Sequence, residues 1–191
     1  MKKGLYILLL LAVLMSCSHP SKNAYIFSYF TNNGEDGLHL AYSEDGLKWE
    51  VLNNGKSFLK PELSKDKLMR DPCIIRGGDN RFHMVWTISW TERSIGYASS
   101  TDLIHWSEQR IIPVMEKEGK AKNCWAPEIT YDAQNNLYMI YWASTIEGRY
   151  TDNTTSEEGY NHRMYYVTTS DFKTFSETKL LYDPGFNIID A

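Results

Sequence analysis

The sequence has few cysteines, no basic cluster and no apolar run long enough to cross a bilayer. Only three of its 191 residues are Cys. Three cysteines cannot build a disulfide framework, and no Cys or His spacing here makes a zinc site. The formal net charge is -4, and the Lys and Arg residues are scattered. A nucleic-acid-binding surface needs a basic patch or stripe, so no nucleic acid is expected as a partner. The longest apolar run, "LYILLLLAVLM", covers residues 5–15, against about 20 for a membrane span. Beyond it no helical period competes with the alternating apolar patterns. What the chain does have is aromatic side chains: 14% of residues, with six Trp and thirteen Tyr. Such rings fit pleated faces. They also stack on sugars, although packing in a β-core accounts for most of them.

The N-terminus reads as a leader. Lys2 and Lys3 form a positive n-region before the apolar run. "LMSC" then sets Leu14 and Ser16 before Cys17, which resembles a bacterial lipobox with Met15 as a departure. That resemblance implies cleavage before Cys17 and lipid attachment there; the other reading is an ordinary signal peptide with an incidental Cys. The expected division is a lipoprotein signal peptide at 1–16, a short tether at 17–23 and a folded part at 24–191. The expected location is the periplasm or outer membrane, with membrane contact only through Cys17. Cys73 and Cys124 remain. An exported chain tolerates a disulfide between them, and buried free thiols fit equally well.

A repeat runs through the folded part. "LHLAYSEDGLKWE", "IGYASSTDLIHWSE" and "MYYVTTSDFKTFSE" align without gaps, with Asp45, Asp102 and Asp171 each four residues before an aromatic. Each reads as a β-hairpin. The Asp builds the turn by accepting backbone N–H groups, and the aromatic starts the next strand. Upstream lie the aromatic strands 24–30, 82–90 and 137–145. Before the last two comes a further strand with Pro near its start, in "RDPCII" (70–75) and "WAPEIT" (125–130). Four-stranded antiparallel units of this kind predict a β-propeller. The first unit begins at its second strand, the second and third look complete, and a fourth opens at "FNIIDA".

In a propeller the inner strands line the central channel. Asp71, Ala126 and Asp190 hold one repeat position on the three inner-strand candidates. A buried carboxylate is costly unless it is hydrogen-bonded or functional. Pairing of Asp71 with Arg70 or Arg76 is the plainer alternative. Trp125 and Trp86 are candidate sugar platforms, with core packing as the other role for Trp86. His162, in "YNHRMYY", is a candidate for the channel rim or for a structural place.

"RDPCI", "SSTDLIHWSE", "WAPEITYDAQNNLYMIYWAS" and "FNIIDA" together resemble family 43 of the glycoside hydrolases, over roughly residues 24–191. The resemblance implies an all-β, five-bladed propeller of four-stranded antiparallel blades, about three of them and the start of a fourth in this chain. It implies an exported arabinofuranosidase or xylosidase that cleaves O-glycosidic bonds of plant polysaccharide by inversion. Inversion needs a base that activates water and an acid on the opposite face of the sugar, with carboxyls about 6.5–9.5 Å apart. A third carboxylate near the acid keeps it protonated. By motif, Asp71 matches the general base and Asp190 the carboxylate that raises the acid's pKa. No residue matches the acid, whose blade is expected past Ala191. Glu128 is expected as a neighbour in the site and not as the proton donor. Calcium sits in the channel of some relatives, but no ligand set here demands it, and no cofactor is expected.

Two other functions compete. One is a lipid-anchored propeller that binds glycan without cleaving it. The other is a sialidase-type hydrolase, to which "SEDGLKW" has a likeness. That motif is one residue short, and the arginine cluster such enzymes use is not evident.

Overall fold

The computed structural model describes residues 24–151 and 159–190. The leader, the tether and Cys17 lie outside the described residues. Three antiparallel sheets make up the described fold, with a 3-10 segment at Asn53–Gly55 between the first and the second. The first sheet orders β1 (Tyr25–Tyr29), β2 (His39–Ser43) and β3 (Glu50–Val51). The second orders β4 (Arg70–Arg76), β5 (Phe82–Thr87), β6 (Ile95–Ser100) and β7 (Arg110–Ile112). The third orders β8 (Trp125–Asp132), β9 (Leu137–Ser144), β10 (Arg163–Thr169) and β11 (Lys179–Tyr182). Every sheet is thus a meander of consecutive strands, as the repeat predicts.

The second sheet is covered on both faces, and this sets its composition. Five of the six residues of β5 are buried, where a half-exposed strand would alternate. Met84, Trp86 and Ala98 pack toward the first sheet with Leu38, Leu40 and Met69. Val85, Ile95 and Tyr97 pack toward the third with Ile129, Ile140 and Trp142. Each Val, Leu, Ile or Met among them contributes about 1.5–3 kcal/mol by leaving water. Trp86 is therefore corrected from a sugar platform to a core residue: it is fully buried. Its indole lies over Gly96, the residue opposite it on β6. A Cβ on Gly96 would come within 2.2 Å of the ring. Cys73 and Cys124 are both free thiols beside the core between the second and third sheets, so they form no disulfide.

The three turns repeat atom by atom. Asp45 Oδ1 accepts the N–H groups of Leu47 and Lys48, both at 2.8 Å. Asp102 accepts those of Ile104 and His105, and Asp171 those of Lys173 and Thr174, all at 2.8–2.9 Å. Ser43, Ser100 and Thr169 complete each turn by accepting the N–H groups of residues two and three further on. The backbone donors and the Thr174 hydroxyl hold the Asp171 carboxyl down at about 2. The aromatic after each turn differs from expectation in two units. Trp106 and Phe175 close the turn, and β7 and β11 begin four residues later, at Arg110 and Lys179.

One backbone feature positions the site. The β4–β5 ladder slips between Arg70 and Cys73, and the β8–β9 ladder slips between Trp125 and Glu128. At these bulges Asp71 and Ala126 adopt the left-handed region, with φ of 51° and 46°. Asp190, at the matching repeat position, has φ of 61°. Non-glycine residues rarely sit there, and Asp tolerates it better than Ala does. A bulge of this kind turns a side chain away from the regular pleat and is frequent beside active sites.

Candidate active site

Asp71 lies at the mouth of β4, partly buried. Thr87 Oγ1, at the end of the neighbouring β5, donates to Asp71 Oδ2 at 3.2 Å. The same Thr87 oxygen accepts the backbone N–H of Ala126 at 2.9 Å. The bulged residue of the third sheet is thus tied to the bulged residue of the second through one hydroxyl. Burial pushes the Asp71 carboxyl above its ordinary value; Arg70 and the Thr87 hydrogen bond pull it down, and the Asp190 charge pushes it up. The expected pairing with Arg70 therefore exists as a charge interaction, but burial wins.

Arg70 itself is held elsewhere. Its guanidinium lies over the ring of Phe30 at 4.7 Å and over that of Trp90 at 4.5 Å. It also donates to Asn33 Oδ1 at 3.2 Å. Trp90 is 39% exposed and stands edge-on to Trp125, with centroids 5.5 Å apart. The Trp125 indole N–H donates to the Trp90 carbonyl at 3.0 Å. On the other side, Asp66 Oδ2 accepts the Trp90 N–H at 3.2 Å and the Ser89 hydroxyl at 2.6 Å. Trp125 then meets Tyr160 at 4.6 Å and His162 at 5.0 Å. Phe30, Arg70, Trp90, Trp125 and Tyr160 form a chain of ring contacts that runs through the neighbour of Asp71. Flat aromatic faces with polar edges are what a sugar ring stacks on.

His162 is a wall of the site and not its rim. It is 2% exposed. Asn187 Oδ1 accepts both the His162 backbone N–H at 2.6 Å and the Nδ1–H at 3.2 Å. Its Nε2 then accepts Asn123 Nδ2 at 3.1 Å, while Asn123 Oδ1 is used by the Thr145 N–H. This network fixes the neutral Nδ1–H tautomer. Burial lowers the His162 pKa, against the pull of Asn187 and the Asp190 charge. The same Asn187 bonds hold the segment leading to Asp190 against the third sheet. Next to His162, the buried Arg163 is clamped by Asp183, Asn161 and the His162 carbonyl.

Of the residues expected from the sequence, Asp71, Asp190, Trp125 and His162 come together, and Trp86 does not. Glu128 lies further along β8, where its Oε2 accepts the Tyr141 hydroxyl at 2.7 Å and its charge reaches Cys73. Thr87, Trp90 and Tyr160 were missed, and Arg70, expected only as a charge partner of Asp71, also lies over Phe30 and Trp90. Trp90 was legible only as the last letter of an aromatic run; β5 ends at Thr87, which frees the tryptophan for the loop. Among the described residues no group of three or more His, Cys, Asp or Glu could hold a metal ion.

A family model described as a probable glycosyl hydrolase domain, of the family 43-related kind, matches residues 21–191. The chain belongs to the glycosyl hydrolase 43-related family. An α-L-arabinofuranosidase of Bifidobacterium longum subsp. longum is 23% identical to this family member over 186 residues, covering 84% of the chain and 17% of that enzyme. The chain thus spans under a fifth of the length of the curated relative it matches. The solved α-L-arabinofuranosidase of Clostridium thermocellum superimposes with a TM-score of 0.57 over 87% of this chain and 48% of its own, at 12% identity. An N-acetylgalactosamine deacetylase of F. plautii, solved with blood group B trisaccharide, gives 0.54 over 84% and 49%, at 13% identity. Two different chemistries on one backbone mean that these likenesses speak for the fold, and that the reaction has to be argued from the site.

Proposed function

We propose that this family 43-related chain is part of an exported glycoside hydrolase that cleaves arabinofuranosyl or xylosyl units from plant glycans with inversion. The observation that carries the reading is Asp71. It is a carboxylate on a left-handed bulge, raised in pKa by burial, and its neighbour Arg70 lies within the chain of ring contacts. Burial there costs the charged form more than Arg70 and the Thr87 hydrogen bond return. A carboxylate with a raised pKa is a better base for water. In the proposed reaction Asp71 takes a proton from the attacking water as that water adds to the anomeric carbon. The glycosidic oxygen leaves with a proton from a carboxylic acid on the far side of the sugar. We assign that acid to a further blade of a five-bladed propeller, and give Asp190 the task of raising its pKa. Trp125 and Trp90 hold the sugar, with His162 fixed behind Trp125. Export and lipid attachment at Cys17 belong to the same reading and rest on the leader sequence.

The chain of rings favours a second reading, a propeller that holds glycan without cleaving it. The two separate in one assay. The full protein is given aryl α-L-arabinofuranoside and aryl β-xyloside, and the first-formed sugar is followed by proton NMR. Release of the inverted anomer supports the enzyme; glycan binding with no release supports the binding module.

A further inference from the structure

The segment before β4 is clamped onto the loop that follows β5. Ser64 Oγ donates to the Ile88 carbonyl at 2.6 Å, and the Leu68 N–H reaches the same carbonyl at 3.2 Å. Between these two ties stands Asp66, which is exposed. Its Oδ2 accepts the Ser89 hydroxyl at 2.6 Å and the Trp90 N–H at 3.2 Å. Ser89 is buried, and its oxygen in turn accepts the N–H groups of Thr91 and Glu92. One carboxylate oxygen thus orders the chain on both sides of Trp90. Ser64 and Lys67, which flank Asp66, have left-handed backbones, with φ of 66° and 50°. Non-glycine residues stay in that region only where the surrounding structure holds them, and such strain collects at functional sites.

The tryptophan held in this way leaves much of a large ring in solvent. Both polar groups of its backbone are nevertheless committed. The N–H goes to Asp66, and the carbonyl takes the Trp125 indole N–H at 3.0 Å. The ring itself is set against the Arg70 guanidinium and edge-on to Trp125. A stacking face that is already immobile spares a ligand the cost of ordering it. We propose that Asp66 is a positioning residue for the substrate, which locks Trp90 where its ring stacks on the sugar. The proposal rests on the reading of the Asp71 site as a sugar site. Asp66 acts through Trp90, so its loss falls on binding and not on the chemical step. Both bonds go to a single oxygen, so an amide in the same place can still accept them.

The test uses the full protein carrying Asp71→Asn, which prevents turnover, titrated in a calorimeter with arabinotriose and with xylotriose. In that parent, Asp66→Ala and Trp90→Ala are each expected to raise Kd about tenfold, and the double variant should bind no more weakly than Trp90→Ala alone. Asp66→Asn should stay within about twofold of the parent, because it keeps the acceptor. With Asp71 intact, Asp66→Ala should raise KM on the aryl glycoside about tenfold and leave kcat within about twofold. Melting curves check the folding of each variant. Should Asp66→Ala not fold, Asp66→Ser takes its place, since its shorter side chain falls short of the Trp90 amide. A Kd for Asp66→Ala within about twofold of the parent overturns the proposal. So does an equal loss on Asp66→Ala with and without Trp90, which is what a purely structural role gives. Binding of neither trisaccharide to the Asp71→Asn parent overturns it as well. Failure of the enzymatic reading alone is distinguishable, because hydrolysis would then be missing while the Kd differences persisted.

Discussion

Thr87 Oγ1 donates to Asp71 Oδ2 at 3.2 Å and takes the Ala126 amide at 2.9 Å. A hydroxyl has one proton to give, and here the Ala126 donor occupies the acceptor side and leaves that proton for Asp71. Thr87 therefore acts through Asp71 as a positioning residue. Loss of a donor to the carboxylate favours its neutral form. Thr87→Val should move the acidic limb of the kcat/KM profile upward by about one pH unit, equivalent to about 1.4 kcal/mol. Thr87→Ser should restore it. A pH profile unmoved by Thr87→Val would remove Thr87 from the mechanism.

Asp71 is held at a cost to the fold. Its pKa is raised from 3.8 by burial, so the native state keeps the proton more tightly than the unfolded chain. Its stabilising contribution is present below pH 3.8 and is lost as pH rises through the folded value. Asn is isosteric and accepts a left-handed backbone. At pH 7 the Asp71→Asn protein should melt about 2–4 °C above the parent. That gap should close as the pH approaches 4, which thermal scans across pH can follow. A lower melting temperature at pH 7 would mean that Asp71 is structural.

His162 gives the opposite slope. Its pKa is lowered from 6.5, so below that pH the unfolded chain binds a proton that the native state refuses. The contribution of the neutral ring is present above pH 6.5 and is lost as pH falls toward the folded value. Stability should therefore drop as the pH falls below 6.5, and the His162→Gln protein should lose that part of the slope. An unchanged slope in the variant would show that His162 carries no such linkage.

Gly96 is demanded by the ring that crosses it. A methyl there would meet Trp86 at 2.2 Å on a sheet covered on both faces. Gly96→Ala should cost about 1–3 kcal/mol, read as a lower urea midpoint. A midpoint unchanged within error would mean that the Trp86 indole moves freely.

The turns and sheets were legible because their chemistry is local. Each Asp satisfies donors two and three residues away, so the spacing alone carries the signal. Asp71 was legible because a carboxylate beside Pro stands out in an apolar strand. Trp86 was left between two roles because alternation names the face of a strand but not what covers it; here both faces are covered. Thr87 and Trp90 were out of reach for a different reason. Their roles come from contacts between segments tens of residues apart, as when the Ala126 amide reaches Thr87 or the Trp125 indole reaches the Trp90 carbonyl. His162 showed its place only once Asn123 and Asn187 had been brought to either side of its ring.

The central claim is that Asp71 is the base that activates water. The most direct measurement compares the full protein with its Asp71→Asn variant on aryl α-L-arabinofuranoside and aryl β-xyloside. The melting curve of each serves as the check on folding. Removal of a general base should lower kcat by about 10²–10⁴ on the substrate that the parent cleaves, with the variant at least as stable as the parent. A folded variant whose kcat stays within about twofold of the parent, far inside that range, would contradict the claim.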